Sequence, residues 1–285
     1  MGKIQCSFYH VHFSSSDKQF NMDERKKNLS QISETEISAF LQRIEFSDRI
    51  AINQQTLKLL HAAFIAKIPF ETLDIFLGKR FSLSLPDLYD KIVARRRGGY
   101  CYELNGFFFH VLQEVGFEVS LYSARLYDHQ QLEAPASQHM VLAVKLEGLW
   151  LVDVGYGNGF IYPLLLDDTQ AQEQGHRTFR AVHRDGEYII QEMEGKEWTS
   201  WYVFTREPKT VADFEERNHF HQTSERSVFF KKRICMIAHG DERIELVGNA
   251  LTRRTSSEHH LSMVQEDDIS LLLKNEFGIQ WTRNK

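Results

Sequence analysis

Cysteine is scarce in this chain of 285 residues: Cys6, Cys101 and Cys235 are the three present, far apart and without CxxC spacing. That spacing excludes a zinc ribbon and gives no disulfide framework to expect, so a reducing compartment is the default. No apolar run approaches the roughly 18 residues that cross a bilayer, and the N-terminus carries no hydrophobic stretch of signal-peptide kind. Met1-Gly2 opens like an acylation signal, but Cys6 stands where that signal needs Ser or Thr. A cytoplasmic location away from membranes is therefore expected. Charge of one sign is also missing. With 34 Lys and Arg against 39 Asp and Glu, the net charge of -5 offers no basic field for nucleic acid or acidic membranes. Among thirteen His, pairs such as His10/His12 and His219/His221 are the only metal hints, and two ligands do not make a site, so no metal is expected.

What is present is apolar and aromatic: 42% hydrophobic residues and 21 Phe suffice for a large buried core. Residues 1–31 are polar, lack a sustained period and read as a leader or extension. From Thr35 the spacing of Ile37, Phe40, Leu41 and Ile44 predicts a helix, and Leu57, Leu60 and Phe64 predict another over about Gln54 to Ala66. Pro69 breaks the chain, and Pro86 fits the first turn of a third helix carrying Leu88, Ile92 and Val93. The clearest helix runs from near Tyr100 to Gly116, because Leu104, Phe107, Phe108, Val111 and Leu112 trace one buried face. Short alternating runs follow over 117–203 and read as a largely antiparallel β-domain. The tail from 204 to 285 mixes a polar helical stretch near Asp213, β-rich segments at Ser227 to Ile237 and Arg243 to Val247, and a final helix around Asp267 to Phe277.

The segment Arg95-Arg96-Arg97-Gly98-Gly99-Tyr100-Cys101 carries the chemistry. Two glycines permit a sharp turn and close backbone approach, and the helix that follows puts Cys101 in its first turn. Helix N-terminal amides and their partial positive charge stabilise an anion at that place. Packing alone would equally accommodate a small buried Cys101 beside Leu104 and Phe108. Two residues favour chemistry. His139 opens the apolar strand Met140 to Val144, and Asp153 lies in the next, between Val152 and Val154, where a carboxylate needs a partner. A Cys, His, Asp order with the thiol on a helix and the others on adjacent strands is the arrangement of papain-like nucleophilic sites.

The hairpin between those strands sets a test. A strict two-residue turn at Glu147-Gly148 would set Leu146 against Leu149 and His139 against Tyr156, leaving His139 and Asp153 on opposite faces. A triad therefore requires a bulge or a longer turn, and direct opposition requires paired residue numbers summing to 139 + 153 = 292.

Arg97-Gly98-Gly99-Tyr100-Cys101-Tyr102-Glu103-Leu104-Asn105 resembles the catalytic signature of the arylamine N-acetyltransferases. Ile68-Pro69-Phe70-Glu71-Thr72-Leu73 is similar to that family's Pro-Phe-Glu element, and His139-Met140 and Asp153-Val154-Gly155-Tyr156-Gly157 match its His and Asp segments in order. The resemblance extends from about Thr35 to the C-terminus, with weaker echoes at Phe204-Thr205 and Asp213-Phe214-Glu215; the leader departs from it. It implies an α+β fold on a papain/transglutaminase-like Cys-His-Asp scaffold: a leader over 1–31, an N-terminal helical bundle over 32–116, a central antiparallel β-barrel over 117–203, and a C-terminal α/β lid over 204–285. It also implies ping-pong acetyl transfer from acetyl-CoA as co-substrate to arylamines, hydrazines or N-hydroxyarylamines, with Cys101 as nucleophile, His139 as base and Asp153 holding the imidazole. No tightly bound cofactor is expected.

Further residues follow with less specificity. Gly155, Gly157 and Asn158 belong to a glycine-rich loop that the resemblance sets at the CoA side of the cleft, although an ordinary loop would read the same. Phe70, Tyr102 and Phe204 are candidates for an aromatic acceptor pocket, with core packing the competing reading in so Phe-rich a chain. Glu71 and Arg97 look like a structural ion pair holding the cysteine loop, and Lys231-Lys232-Arg233 is a basic triplet that would suit CoA phosphates or simply a solvated face. The same scaffold would serve a polyketide amide synthase, a cysteine hydrolase or a transglutaminase-like enzyme. A non-catalytic binding module with a structural Cys101 is the remaining alternative.

Overall fold

The computed structural model describes residues 31–127 and 138–281. Most of the expected leader, including Cys6 and His10/His12, lies outside the described residues. Helix α1 (Glu34–Arg43) opens with Ser33 accepting from the Glu36 N–H while the Glu36 carboxylate accepts from the Ser33 N–H at 2.8 Å, a reciprocal cap. Helix α2 (Gln54–Lys67) buries Leu57, Leu60 and Phe64, as its spacing predicts. A two-residue strand β1 (Phe70–Glu71) and the turns α3 (Leu73–Phe76) and α4 (Leu85–Tyr89) follow, Pro86 falling in the first turn of α4. Where the sequence suggests one helix through Val93, the chain instead widens into a π turn over Asp90–Ala94. Helix α5 (Cys101–Glu114) is packed deep in the core, with ten of its fourteen residues buried. It stops at Gly116, whose φ of +102° only glycine adopts freely, and Phe117 then packs back into the core.

The larger sheet has eight antiparallel strands. These are β2 (Glu118–Leu126), β3 (His139–Lys145), β4 (Leu149–Val152), β5 (Leu164–Leu165), β6 (Gln172–Gln174), β7 (Arg177–Arg184), β8 (Glu187–Glu194) and β9 (Glu197–Lys209), in the order β5-β4-β3-β2-β9-β8-β7-β6. It curls nearly into a barrel, and the Gln172 side chain bridges the gap between the two end strands by accepting from the Leu165 N–H and donating to the Leu165 carbonyl. β9 continues through the 203/204 boundary expected from the sequence, because its pairing with β2 extends to Lys209.

The expected β-rich segment from Ser227 is in part helical. After α6 (Glu215–Thr223), a single turn α7 (Val228–Lys231) precedes β10 (Ile234–His239). β11 (Glu242–Val247), β12 (Ala250–Arg254) and β13 (His259–Met263) complete a second sheet that is covered by α8 (Ile269–Phe277). The first strand of this sheet is β1, in the order β1-β10-β11-β12-β13, so Phe70 and Glu71 tie the early helices to the C-terminal layer. Among the described residues no helix is long and apolar enough to cross a membrane.

Alternation assigns the two faces of β3 and β4. Met140, Leu142, Val144 and Val152 pack with α5 in one core, whereas Val141, Ala143, Leu149 and Leu151 fill the barrel interior. The site lies where the N-terminus of α5 meets this sheet.

Candidate active site

The cysteine loop is shaped by glycine. A Cβ on Gly98 would lie 1.9 Å from the Pro69 carbonyl oxygen, an impossible contact, and the Gly99 carbonyl accepts from the Glu71 N–H at 2.8 Å. The Pro-Phe-Glu segment and the Gly-Gly turn thus lie side by side. Arg97 is anchored to Glu71 at 2.6 and 2.9 Å, both side chains buried. Arg96 leads into the turn with φ at +51°. The chain then enters α5 with Cys101 as its first residue, 4% exposed.

The hairpin joining β3 and β4 has the longer turn that a triad requires. Lys145 pairs with Leu149 and Leu142 with Val152, so paired numbers sum to 294 and three residues, Leu146 to Gly148, make the connection. The odd residue reverses the parity of the strict register. His139 and Asp153 both join the barrel-facing series, offset by one pair rather than directly opposed, so the sum of 292 is not met. Their side chains converge with His139 Nε2 2.7 Å from Asp153 Oδ2. The other face of the imidazole is hydrogen-bonded to Cys101, which leaves Nδ1 for the thiol.

Asp153 is buried, and four donors satisfy it. His139 and the Tyr202 hydroxyl, at 3.0 Å, donate to Oδ2; Asn105 Nδ2 at 2.8 Å and the Gly155 N–H at 3.0 Å donate to Oδ1. Burial alone would raise its pKa, but the imidazole and these donors outweigh burial and hold it below the usual carboxylate range. For His139 burial alone would disfavour the cation; the Asp153 charge and hydrogen bond, with Cys101 adding to them, instead raise it to about 10. The buried imidazole is therefore held in its cationic form, paired on one side with a carboxylate and facing the Cys101 sulfur on the other.

Three positions that sequence reasoning left without a role build this geometry. Asn105, one turn after Cys101, donates to the Met140 carbonyl at 2.6 Å and to Asp153, and accepts from the Val154 N–H at 2.9 Å. His61 on α2 accepts from the Asp153 N–H at 3.2 Å and donates through Nδ1 to the Ile161 carbonyl at 2.7 Å, closing both ends of the glycine-rich loop. Burial pushes His61 down to about 4, so it is neutral. Tyr202 comes from β9. The helical i, i+4 spacing of Cys101 and Asn105 was a readable signal; nothing local marks Tyr202.

The loop of Gly155, Gly157 and Asn158 packs on protein. A Cβ on Gly155 would lie 2.8 Å from the Cys101 Cα and 2.7 Å from Asn105 Nδ2, and Gly157 (φ +79°) abuts Met236. The Asn158 and Gly159 carbonyls accept from Arg177, which is itself paired with Glu192. The three aromatic candidates are not brought together. Phe70 borders a small cavity with Gly157, Met236 and Asp153. Tyr102 packs into a cluster with Tyr100, Phe214 and His221, and Phe204 stacks between Tyr122 and Tyr188 in the barrel. Arg233 of the basic triplet is buried against Glu266 and Asn249. His221 of the His219/His221 pair bonds Ser227, and among the described residues no group of three or more His, Cys, Asp or Glu is placed to hold a metal.

Comparison with known proteins places this geometry in context. A family model described as N-acetyltransferase matches residues 53–285. An arylamine N-acetyltransferase of Mycolicibacterium smegmatis is 33% identical over 252 residues, covering 86% of this chain and 92% of that protein. Among solved structures, the arylamine N-acetyltransferase of Salmonella typhimurium superposes with a TM-score of 0.83 at 26% identity, over 88% of this chain and 93% of the other. That of Mycobacterium marinum in complex with CoA gives 0.80 at 30% identity, over 86% and 93%. With a family match across most of its length and relatives of this identity aligned nearly end to end, the chain belongs to the arylamine N-acetyltransferase family.

Proposed function

We propose that this chain is an acetyl-CoA-dependent arylamine N-acetyltransferase in which Cys101, His139 and Asp153 are the catalytic residues. The observation that carries the reading is the continuous buried chain from the Cys101 thiol through His139 to Asp153, with its 2.7 Å imidazole–carboxylate bond. The Cys101 thiolate, paired with the imidazolium, attacks the acetyl carbonyl carbon, and the first-turn amides of α5 face the negative charge that develops on its oxygen. The carbon–sulfur bond to CoA breaks, and CoA leaves with the proton from His139. An arylamine, hydrazine or N-hydroxyarylamine then attacks the acetyl-cysteine. His139 takes the amine proton, the new amide departs, and the thiolate–imidazolium pair is restored. Exchange of one thioester for another is nearly isoenergetic, so positioning and exclusion of water are the protein's main contributions.

A CoA complex of the Mycobacterium marinum relative supports CoA as the acetyl carrier. Both described cysteines are free, which fits a reducing, cytoplasmic setting where a nucleophilic thiol persists. The test is CoA release from acetyl-CoA with and without an arylhydrazine. Sustained release only when the acceptor is present is expected, and Cys101→Ser abolishes it while the unfolding transition is kept. Steady release without acceptor, peptide cleavage without CoA, or near wild-type turnover by Cys101→Ser would each overturn the proposal.

A further inference from the structure

Asp153 leaves the sheet at a point where strand pairing has stopped. The β3–β4 ladder ends at the pair Leu142 and Val152, so the next amide, that of Asp153, finds its partner outside the sheet. That partner is His61, 0% exposed on α2, whose Nε2 accepts the Asp153 N–H at 3.2 Å. The same ring donates from Nδ1 to the carbonyl of Ile161, eight residues further along the chain, at 2.7 Å. It is stacked on Phe160, with 5.7 Å between centroids and 10° between planes, and packs at 63° against Phe108.

These partners fix both the charge and the tautomer of the ring. A carbonyl oxygen only accepts, so Nδ1 carries the hydrogen; an amide N–H only donates, so Nε2 keeps its lone pair. Burial, which pushes His61 down to about 4, favours the same neutral form. Asp153 thus lies between two imidazoles of opposite character: cationic His139 donates to its carboxylate at 2.7 Å, and neutral His61 holds its backbone. The donors on the carboxylate fix where the side chain ends, and His61 fixes where it starts. We propose that His61 is a positioning residue for the transfer reaction: as the Nδ1–H tautomer it pins the backbone of Asp153 to that of Ile161, and so sets the place from which the carboxylate meets His139. The inference rests on Cys101, His139 and Asp153 being the catalytic residues. Without His61 the buried Asp153 amide loses its acceptor, and the loop that follows, with glycine at 155, 157 and 159, has the backbone freedom to carry it toward another.

Two substitutions separate hydrogen bonding from packing. His61→Phe keeps a flat ring against Phe160 and Phe108 but neither accepts nor donates, whereas His61→Gln gives up the ring and carries an acceptor and a donor on one amide. The measurement is single-turnover acetylation of Cys101 as a function of acetyl-CoA concentration. At saturation His61→Phe is expected to react on the order of 10²-fold more slowly than wild type, the cost of about 1 Å of misplacement. His61→Gln is expected to stay within about tenfold, the scale of one imperfect hydrogen bond. Phenylalanine reacting as fast as glutamine overturns the proposal, because ring packing then suffices, and so does a defect confined to the half-saturating concentration, which reports donor binding. Should either variant not fold, nitrogen NMR of the wild-type imidazole decides. Protonated Nδ1 with bare Nε2 at neutral pH supports the proposal, and the opposite tautomer or a cation refutes it. Wild-type protein that is not acetylated on Cys101 overturns the catalytic assignment instead, so the two failures are distinguishable.

Discussion

Replacing Asn105 by alanine removes the joint between the helix that carries Cys101 and the strands that carry His139 and Asp153. Its side chain makes three buried hydrogen bonds, to the Met140 carbonyl, to Asp153 Oδ1 and from the Val154 N–H. Truncation strands the Val154 donor in a site where Asn105 is 0% exposed, at about 1–3 kcal/mol, and deletes a bond to a charged acceptor, at about 1.5–3 kcal/mol. Since such terms overlap, about 3–5 kcal/mol is expected, a large part of the roughly 5–15 kcal/mol that holds a domain folded. Activity falls further than stability alone dictates. Asp153 keeps His139, Tyr202 and the Gly155 amide but loses the donor that fixes its plane relative to α5, and a displacement of about 1 Å at such a site costs on the order of 10²-fold in rate. Urea unfolding gives the first quantity, through a lowered midpoint at unchanged slope. Single-turnover acetylation of the folded variant gives the second. A midpoint shift worth less than about 0.5 kcal/mol, with acetylation within about twofold of wild type, would refute the reasoning, because three buried bonds cannot be that cheap.

Gly155→Ala is expected to slow Cys101 alkylation and acetylation alike, since the added Cβ would lie 2.8 Å from the Cys101 Cα; a change confined to KM for acetyl-CoA would show the loop acting on the cofactor alone. For His139, raised to about 10 in the folded protein, stabilisation is complete below its ordinary pKa of about 6.5 and fades as pH climbs through about 10. The stability gap between wild type and His139→Gln should therefore shrink from about pH 6 to about pH 10, and a gap that widens contradicts the paired imidazolium. Gly98→Ala meets the Pro69 carbonyl at 1.9 Å and is expected to leave little folded protein, measured as the soluble fraction and its unfolding transition; a variant as stable as wild type would mean the turn is built otherwise.

Local patterns accounted for much of this molecule. The four-residue rhythm of Leu104, Phe108 and Leu112 marked α5, Gly116 marked its end, and the same rhythm put Asn105 on the face of Cys101. The Gly-Gly pair announced a sharp turn with close backbone approach, and the expected ion pair of Glu71 with Arg97 is present. Other features have no local mark. Phe70, Tyr102 and Phe204 are all aromatic, yet they stand in three different surroundings; the triplet expected to meet CoA phosphates or solvent loses Arg233 to Glu266, thirty-three residues away.

The sequence by itself determined most of the elements, the order of thiol, imidazole and carboxylate, and the need for an irregular hairpin between the last two, since periodicity and turn chemistry act over a few residues. Tertiary structure alone decided which irregularity was used. A three-residue connection turned His139 and Asp153 to the same face, β1 joined the C-terminal sheet, His61 arrived from α2 to accept the Asp153 backbone N–H, and Tyr202 arrived from β9 to donate to its carboxylate. Those choices depend on register and on contacts between distant segments, whose energies exist only once the layers have packed.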